Sequence, residues 1–162
     1  MSLEDSTLGV DVGIQGANPG TRYTVLLIVD GTSYPVGSVK ADDQGTVSVV
    51  VKPATTTRYR LVSGKVTAAA VRVPVSPLLR LSAARTPDQL RGYVRPLTLA
   101  GSTVFIQRQD GTRWITLTRA SADSAGRFLA RLQLTTGVYR AFIGSGHGFV
   151  AGPSPVLQVS TS

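Results

Sequence analysis

Two segments of the chain carry the same landmarks in the same order, at a spacing of 80 residues or one residue more. A repeat of this length indicates two diverged copies of one folding module. The sequence therefore predicts two domains, residues 1–78 and residues 79–162. The recurring landmarks are Asp30-Gly31 with Asp110-Gly111, Tyr34 with Trp114, Ala41-Asp42 with Ala122-Asp123, and Tyr59-Arg60 with Tyr139-Arg140.

The local sequence signals in both copies favour β-strands. Short segments rich in Val, Thr and aromatic residues alternate with clusters of Gly, Pro, Asp and Asn. No window of about 11 residues carries the apolar stripe of an amphipathic helix. Each Asp-Gly pair is a strong hairpin signal, because a type I′ turn requires two residues with positive φ. The clearest alternation runs from Arg127 to Leu134, which predicts Phe128 and Ala130 inward.

Three further features of the strand pattern are expected. The first strand should run from Leu8 to Ile14. A short linker should join the domains near Val75 to Leu81, where Pro77 interrupts the pattern. After the second Asp-Gly pair, Ile115 and Leu117 should face the core, because strand residues alternate between faces.

The second copy also resembles a known family. The segment from Asp123 to Phe128 (DSAGRF), followed by Gly137 to Arg140 (GVYR), is similar to immunoglobulin-like and fibronectin type III-like modules found in tandem in secreted actinobacterial proteins. The resemblance implies an all-β fold of two tandem immunoglobulin-like antiparallel β-sandwiches, with about seven strands each and Greek-key connections. It also implies that Tyr59 and Tyr139 are corner tyrosines, whose hydroxyl groups bond to backbone upstream.

Composition narrows the possible chemistry. The chain contains no Cys and a single His, so it cannot form disulfides or a thiolate, and it lacks the ligands of a zinc site. The net charge is +8, and it is uneven: residues 81–162 hold nine Arg and only three acids. Such a charge distribution either marks an anionic partner or reflects solvated arginines on outer faces. No apolar run approaches the length of a membrane span.

Catalytic arrangements are weak in this sequence. His147 and Ser145 lie in a Gly-rich stretch, without the Gly-x-Ser-x-Gly turn that would hold a nucleophile. Asp42-Asp43 could offer oxygen ligands to calcium, but aspartates in such turns usually bond to their own backbone. We therefore expect no enzymatic activity, no metal and no cofactor.

Arginine and aromatic residues of the second copy are the best candidates for ligand binding. Arg127 and Arg131 share the outer face of one strand, and Arg91 and Arg95 share the outer face of another, with Tyr93 between them. If these strands are neighbours, a basic surface results, suited to phosphate or carboxylate groups. Trp114 is either a platform for a sugar ring or a packing residue at its hairpin.

Three functions remain open from the sequence. The leading expectation is a structural spacer in a larger secreted or cell-surface bacterial protein, whose partner is the rest of that polypeptide. Met1-Ser2-Leu3 resembles a start added by cloning, and no signal peptide is visible. The alternatives are a module that binds carbohydrate or anionic wall polymer, and an adhesin-type module that binds another surface protein. Nucleic acid is not an expected partner, because aromatic residues are sparse among the arginines.

Overall fold

The structure is a computed structural model that describes residues 10–161. Within those residues the regular structure is β-strand, apart from a 3-10 turn at Leu97–Leu99, and no helix is long and apolar enough to cross a membrane. The chain divides into two compact units, Met1–Val75 and Ser76–Ser162, which we call unit 1 and unit 2. The division falls shortly before the domain boundary expected from the sequence.

Unit 1 contains two antiparallel sheets. One sheet pairs β1 with β4, and the other has the order β3-β2-β5-β6, with β7 also paired to β5. The predicted start of the first strand, at Leu8, lies outside the described residues. The strands described in this unit are β1 (Val10–Ile14), β2 (Arg22–Val29), β3 (Thr32–Lys40), β4 (Val47–Val51), β5 (Thr57–Ser63), β6 (Val66–Thr67) and β7 (Val71–Val73).

Alternation along the strands of unit 1 builds an apolar core from both of its sheets. Tyr23 and Val25 of β2, Val47 of β4 and Leu61 of β5 are buried and belong to one cluster. In each strand the residues two positions apart point to the same face. Because both sheets contribute their inner faces to this cluster, unit 1 is a β-sandwich.

Unit 2 is also built from two antiparallel sheets. One has the order β12-β9-β8, and the other has the order β11-β10-β13-β14, with β15 also paired to β13. The chain passes from one sheet to the other after β9, after β11 and after β12. The strands described in this unit are β8 (Leu78–Ala83), β9 (Gln89–Arg95), β10 (Thr103–Asp110), β11 (Arg113–Ser121), β12 (Arg127–Arg131), β13 (Gly137–Ile143), β14 (Gly152–Pro153) and β15 (Leu157–Val159).

The inner faces of both sheets of unit 2 are buried. Leu90 and Val94 of β9, Ile106 of β10 and Tyr139 of β13 have no exposed surface. On β12, Phe128 and Ala130 are buried while their neighbours are exposed, which confirms the predicted alternation over Arg127–Arg131. The strand is shorter than predicted, since it ends at Arg131 and not at Leu134. The fold is therefore all-β and antiparallel in both units, as predicted.

The two units divide within the predicted linker, between Val75 and Ser76, but β8 begins in the same segment, at Leu78. This strand pairs with β9 from Leu78 opposite Arg95 to Ala83 opposite Leu90, and Leu79 is buried. Pro77 does not interrupt the strand. It precedes the first residue of β8, where the missing proline N–H removes no hydrogen bond from the ladder.

The prediction that Ile115 and Leu117 face the core is wrong for Leu117, whereas Ile115 lies opposite Arg108, on the same side of the sheet as buried Tyr139. Both side chains are 46% exposed. The pairing of β10 with β11 shifts between Ile106 and Gln107, so that Leu117 is the extra residue of a β-bulge. Ile115 lies beyond this bulge on β11, at the edge of its sheet. A bulge changes the phase of the alternation, and an edge strand is covered less than a central one.

The hairpin of unit 1 contains the predicted type of turn. Val29 pairs with Thr32, so the turn consists of Asp30 and Gly31. Both of these residues have positive φ, 49° and 79°. A type I′ turn requires this combination, and its twist matches that of the flanking strands.

The hairpin of unit 2 differs from the prediction by one residue. Asp110 pairs with Arg113, so its turn consists of Gly111 and Thr112, and of these two only Gly111 has positive φ. Gly111 therefore corresponds to Asp30, at a spacing of 81 residues. In this register Trp114 corresponds to Ser33, and the sequence match of Trp114 with Tyr34 is wrong.

The corner tyrosine is found in unit 2. The Tyr139 hydroxyl donates to the Thr135 carbonyl (2.9 Å) and accepts from the Thr135 N–H (3.1 Å). Tyr59 is also buried, and burial raises the pKa of its hydroxyl. Among the described residues, however, no hydrogen bond joins Tyr59 to the chain before it. The corner of unit 1 is one residue longer, because the spacing between the copies falls from 81 at the hairpin to 80 at these tyrosines.

Candidate functional site

The three-stranded sheet of unit 2 carries the arginines singled out in the sequence. In the pairing of β9 with β12, Tyr93 lies opposite Arg127, and Arg91 lies opposite Leu129. The buried residues of these strands point inward, so their partners in the alternation share the outer face. We call this surface the basic face. Its exposed residues, within the described chain, are Leu78, Arg80, Ser82, Arg91, Tyr93, Arg95, Arg127, Leu129 and Arg131.

One corner of the basic face is held in place by hydrogen bonds. Arg95 donates from Nη1 to the carbonyls of Val94 and Ala125, both at 2.9 Å. Its guanidinium carbon lies 5.0 Å from the centroid of the Tyr93 ring, within the range of a cation–π contact. Beside this pair is an open depression of about 300 Å³, lined in part by Arg91, Tyr93 and Arg127.

The remaining arginines are available to a ligand. Among the described residues, the side chains of Arg91 and Arg131 make no hydrogen bond or ion pair. Arg80 makes a single bond, to the Leu79 carbonyl at 3.3 Å. Arg127 has one acid nearby, with Nε at 3.8 Å from Oδ2 of Asp123, and both side chains are largely exposed. An exposed pair of this length contributes little, so it leaves the charge of Arg127 available.

Asp123 organises the turn that leads into β12. Its Oδ1 accepts from the backbone N–H groups of Ala125 and Arg127, both at 2.9 Å. The bond from the Arg127 N–H is the main cause of a lowered pKa at Asp123. Desolvation, the next largest effect, opposes it, while the Ala125 N–H and the charges of Arg127 and Arg95 lower the pKa further. Bonds from an aspartate to its own following backbone are typical of a residue that shapes a turn.

Replacement of Asp123 by Asn should lower the melting temperature of unit 2 at neutral pH and have less effect in acid. The folded pKa lies below the usual value of 3.8, so the carboxylate stabilises the fold above that pH. The contribution is lost as the pH falls through the lowered folded pKa. Thermal melts followed by fluorescence of Trp114, the chain's single tryptophan, measure this difference. Asp110→Asn is the control, and a difference independent of pH would contradict the prediction.

Trp114 does not belong to the basic face. It lies on β11, in the other sheet of unit 2, on the same side as Gln107 and Arg140. The Arg140 guanidinium carbon lies 4.2 Å from the Trp114 ring centroid, and Arg140 Nε donates to Gln107 Oε1 at 2.8 Å. Burial lowers the pKa of Arg140. Because the guanidinium already covers one face of the indole, the packing role is favoured over a platform for sugar.

The sequence failed to identify two kinds of residue near these sites. Arg80 and Leu78 belong to the basic face, but their segment was interpreted as a linker. The alternation of buried Leu79 with exposed Arg80 and half-buried Leu81 was the available signal. Arg140 was noted only as a repeat landmark, and no local pattern indicates that it stacks on Trp114.

The loop that carries His147 and Ser145 is separate from these surfaces. It follows β13, and with residues of β10 it lines an open depression of about 310 Å³. His147 has positive φ (51°) in this exposed loop. Within residues 10–161 no group of three or more His, Asp or Glu side chains is placed to hold a metal ion.

Comparisons with known proteins give limited information. No protein-family model matches the chain, and no curated protein matches it. Among solved structures, the chain is similar to the human OSCAR ligand-binding domain, with 16% identity over 93% of this chain and 89% of that chain. The TM-score is 0.33, so the description of the fold depends on the strand pairing given above.

Proposed function

We propose that this chain is a non-catalytic module of a secreted or cell-surface protein, and that its basic face binds an anionic polymer. The observation that carries the proposal is the clustering of arginines on one sheet face of unit 2. Within the described residues, this face holds Arg80, Arg91, Arg95, Arg127 and Arg131, with Tyr93 among them. No Asp or Glu belongs to the face; Asp123 lies at its margin.

The shape and spacing of the basic face suit an extended ligand. Arg91 and Arg95 are four residues apart on β9, as are Arg127 and Arg131 on β12, which corresponds to about 13 Å along each strand. The depression beside Tyr93 is open, whereas a small-molecule site encloses most of its ligand. Guanidinium groups match the geometry of phosphate and carboxylate. A polysaccharide that bears such groups could therefore contact several arginines at once.

The spacer function does not account for this clustering. Exposed like charges on one face repel each other, and this repulsion opposes folding unless an anion is bound. A spacer would be served equally well by mixed charges. The adhesin-type alternative would use the edge strands, where Ile115 and Leu117 are exposed on β11. Nothing in the described residues identifies a protein partner for that edge.

Replacement of two arginines of the basic face should weaken retention on insoluble cell wall and on anionic polysaccharide. For Arg91→Gln with Arg131→Gln we expect roughly tenfold weaker binding, because two charge-assisted contacts are lost. Retention by the unaltered chain should fall steeply as salt increases. Pull-down across a salt series measures both effects.

The matched control is Arg113→Gln with Arg119→Gln. It removes the same charge from β11, in the other sheet of unit 2. Equal weakening by both pairs would mean that only net charge matters, which contradicts a specific face. Retention insensitive to salt but lost on Trp114→Ala would instead indicate sugar stacking. Retention by no material would favour the spacer.

A further inference from the structure

The larger sheet of unit 1 carries a second group of arginines, on a surface distinct from the basic face of unit 2. Tyr59 and Leu61 of β5 point into the core, so Arg58 and Arg60 point outward. On the neighbouring strand β7, Arg72 lies directly opposite Arg58. We call these three residues the arginine cluster of unit 1. Arg58 and Arg72 are exposed, and Arg60 is half-buried.

No acid of residues 10–161 forms an ion pair with the arginine cluster of unit 1. Arg58 and Arg72 place like charges on directly opposed positions, with Cβ atoms about 5 Å apart, an arrangement that destabilises a sheet. Arg60 is two residues along the same strand, about 6.6 Å away. Among the described residues, none of the three side chains forms an ion pair or a hydrogen bond, and Nε of Arg60 is buried without a partner.

Unit 2 shows what an arginine at this position requires. Arg140 corresponds to Arg60, and its Nε donates to Gln107, which lies opposite it on β10. In unit 1 the residue opposite Arg60 is Leu26, which offers no acceptor. Unit 1 therefore keeps the arginine but lacks the side chain that satisfies it.

The other two arginines are also particular to unit 1. Arg58 lies opposite Arg72, whereas the corresponding positions of unit 2 hold Val138 opposite Gln158. Two guanidinium groups have thus been placed beside Arg60 where unit 2 has neutral side chains. Within residues 10–161 none of the three has an acceptor, so a bound anion could complete the arrangement.

We propose that the arginine cluster of unit 1 binds a phosphoryl group. A phosphate monoester carries close to two negative charges and three acceptor oxygens, enough to engage more than one guanidinium. Half-buried Leu26 and Ile28 lie opposite Arg60 and Arg58. Apolar neighbours reduce local screening by water, which strengthens each charge-assisted bond. This inference is independent of the function proposed for the basic face of unit 2.

The test is a titration of the whole chain with inorganic phosphate, followed through the arginine Nε–Hε resonances by NMR. We expect a saturable shift of the Arg60 resonance. Arg72→Gln should weaken the binding about tenfold, since it removes one charged donor. Leu26→Gln should abolish the shift, because it supplies the internal acceptor that Gln107 provides in unit 2. The exposed Arg72 variant keeps the test valid if Leu26→Gln does not fold.

Several outcomes separate this site from the basic face and from non-specific attraction. The variant Arg91→Gln with Arg131→Gln should leave the Arg60 shift unchanged. No saturable shift in the unaltered chain, or an unchanged affinity in Arg72→Gln, would overturn the proposal. Polyphosphate distinguishes the source of the group. Tighter binding per phosphate than for inorganic phosphate would indicate a polymer, and equal binding would indicate a free or terminal phosphate; both support the site.

Discussion

Substitution of Gly92 by Ala should destabilise unit 2 by about 3 kcal/mol, because a Cβ at this position overfills the core. Gly92 lies on β9, the central strand of the sheet β12-β9-β8. An added Cβ would collide with the Arg80 carbonyl oxygen on β8 and with the Phe128 ring from β12. The carbonyl oxygen belongs to the backbone, so it can move only if the β8–β9 pairing is disturbed.

Urea denaturation followed by Trp114 fluorescence measures this effect in unit 2, since the chain's single tryptophan lies there. The control is Gly144→Ala, in the same unit. Its added Cβ meets no atom within 4 Å, so the free energy of unfolding should change by no more than about 0.5 kcal/mol. Equal effects of the two substitutions would show that contact with Arg80 and Phe128 is not the cause.

Substitution of Tyr139 by Phe should destabilise unit 2 by about 2 kcal/mol, since the backbone groups of Thr135 lose their partner. The Tyr139 hydroxyl both donates to and accepts from Thr135, and the side chain has no exposed surface. The ring remains in place in the variant, so the change isolates the hydroxyl. Trp114 fluorescence again reports the unfolding of unit 2.

Tyr59→Phe is the matched control for the corner. Tyr59 occupies the corresponding position in unit 1 and is buried, but among the described residues its hydroxyl makes no bond to upstream backbone. We expect the free energy of unfolding of unit 1 to fall by less than about 0.5 kcal/mol. Circular dichroism measures this change. If Tyr59→Phe were as destabilising as Tyr139→Phe, the contribution would come from ring polarity or packing, and the difference between the two corners would have no energetic consequence.

The sequence predicted the strands best where alternation is undisturbed. Phe128 and Ala130 follow a strict period of two on β12, and both are buried as expected. The turn at Asp30-Gly31 was also predicted, because few dipeptides accept positive φ twice. Both predictions depend on local geometry, which a short segment of sequence determines.

Failures of prediction arose where the position depends on distant pairing. The bulge at Leu117 is defined by its register against β10, and no residue type marks it. The strand β8 was missed because a proline is typical of a break between strands. Pro77 lies directly before the first residue of β8, where it does not interrupt the pairing with β9. The two hairpins correspond at a spacing of 81 residues and not 80, and this difference is also visible only from the pairing of their strands.

The candidate site was predicted in part. The placement of Arg91, Tyr93 and Arg95 on one outer face follows from alternation, but their adjacency to Arg127 depends on the order of strands in the sheet. Sequence spacing cannot supply that order. The arginine cluster of unit 1 could not be predicted from the sequence at all. Arg58 and Arg72 are brought together only by the pairing of β5 with β7.

The bulges in the two hairpins lie at one shared register. In unit 1 the extra residue is Val36, and in unit 2 it is Leu117, at the same spacing of 81 that relates the two turns. Both residues lie on edge strands, β3 and β11. A bulge twists an edge strand and interrupts its row of backbone hydrogen-bonding groups, so both edges should resist strand pairing with other chains and therefore aggregation.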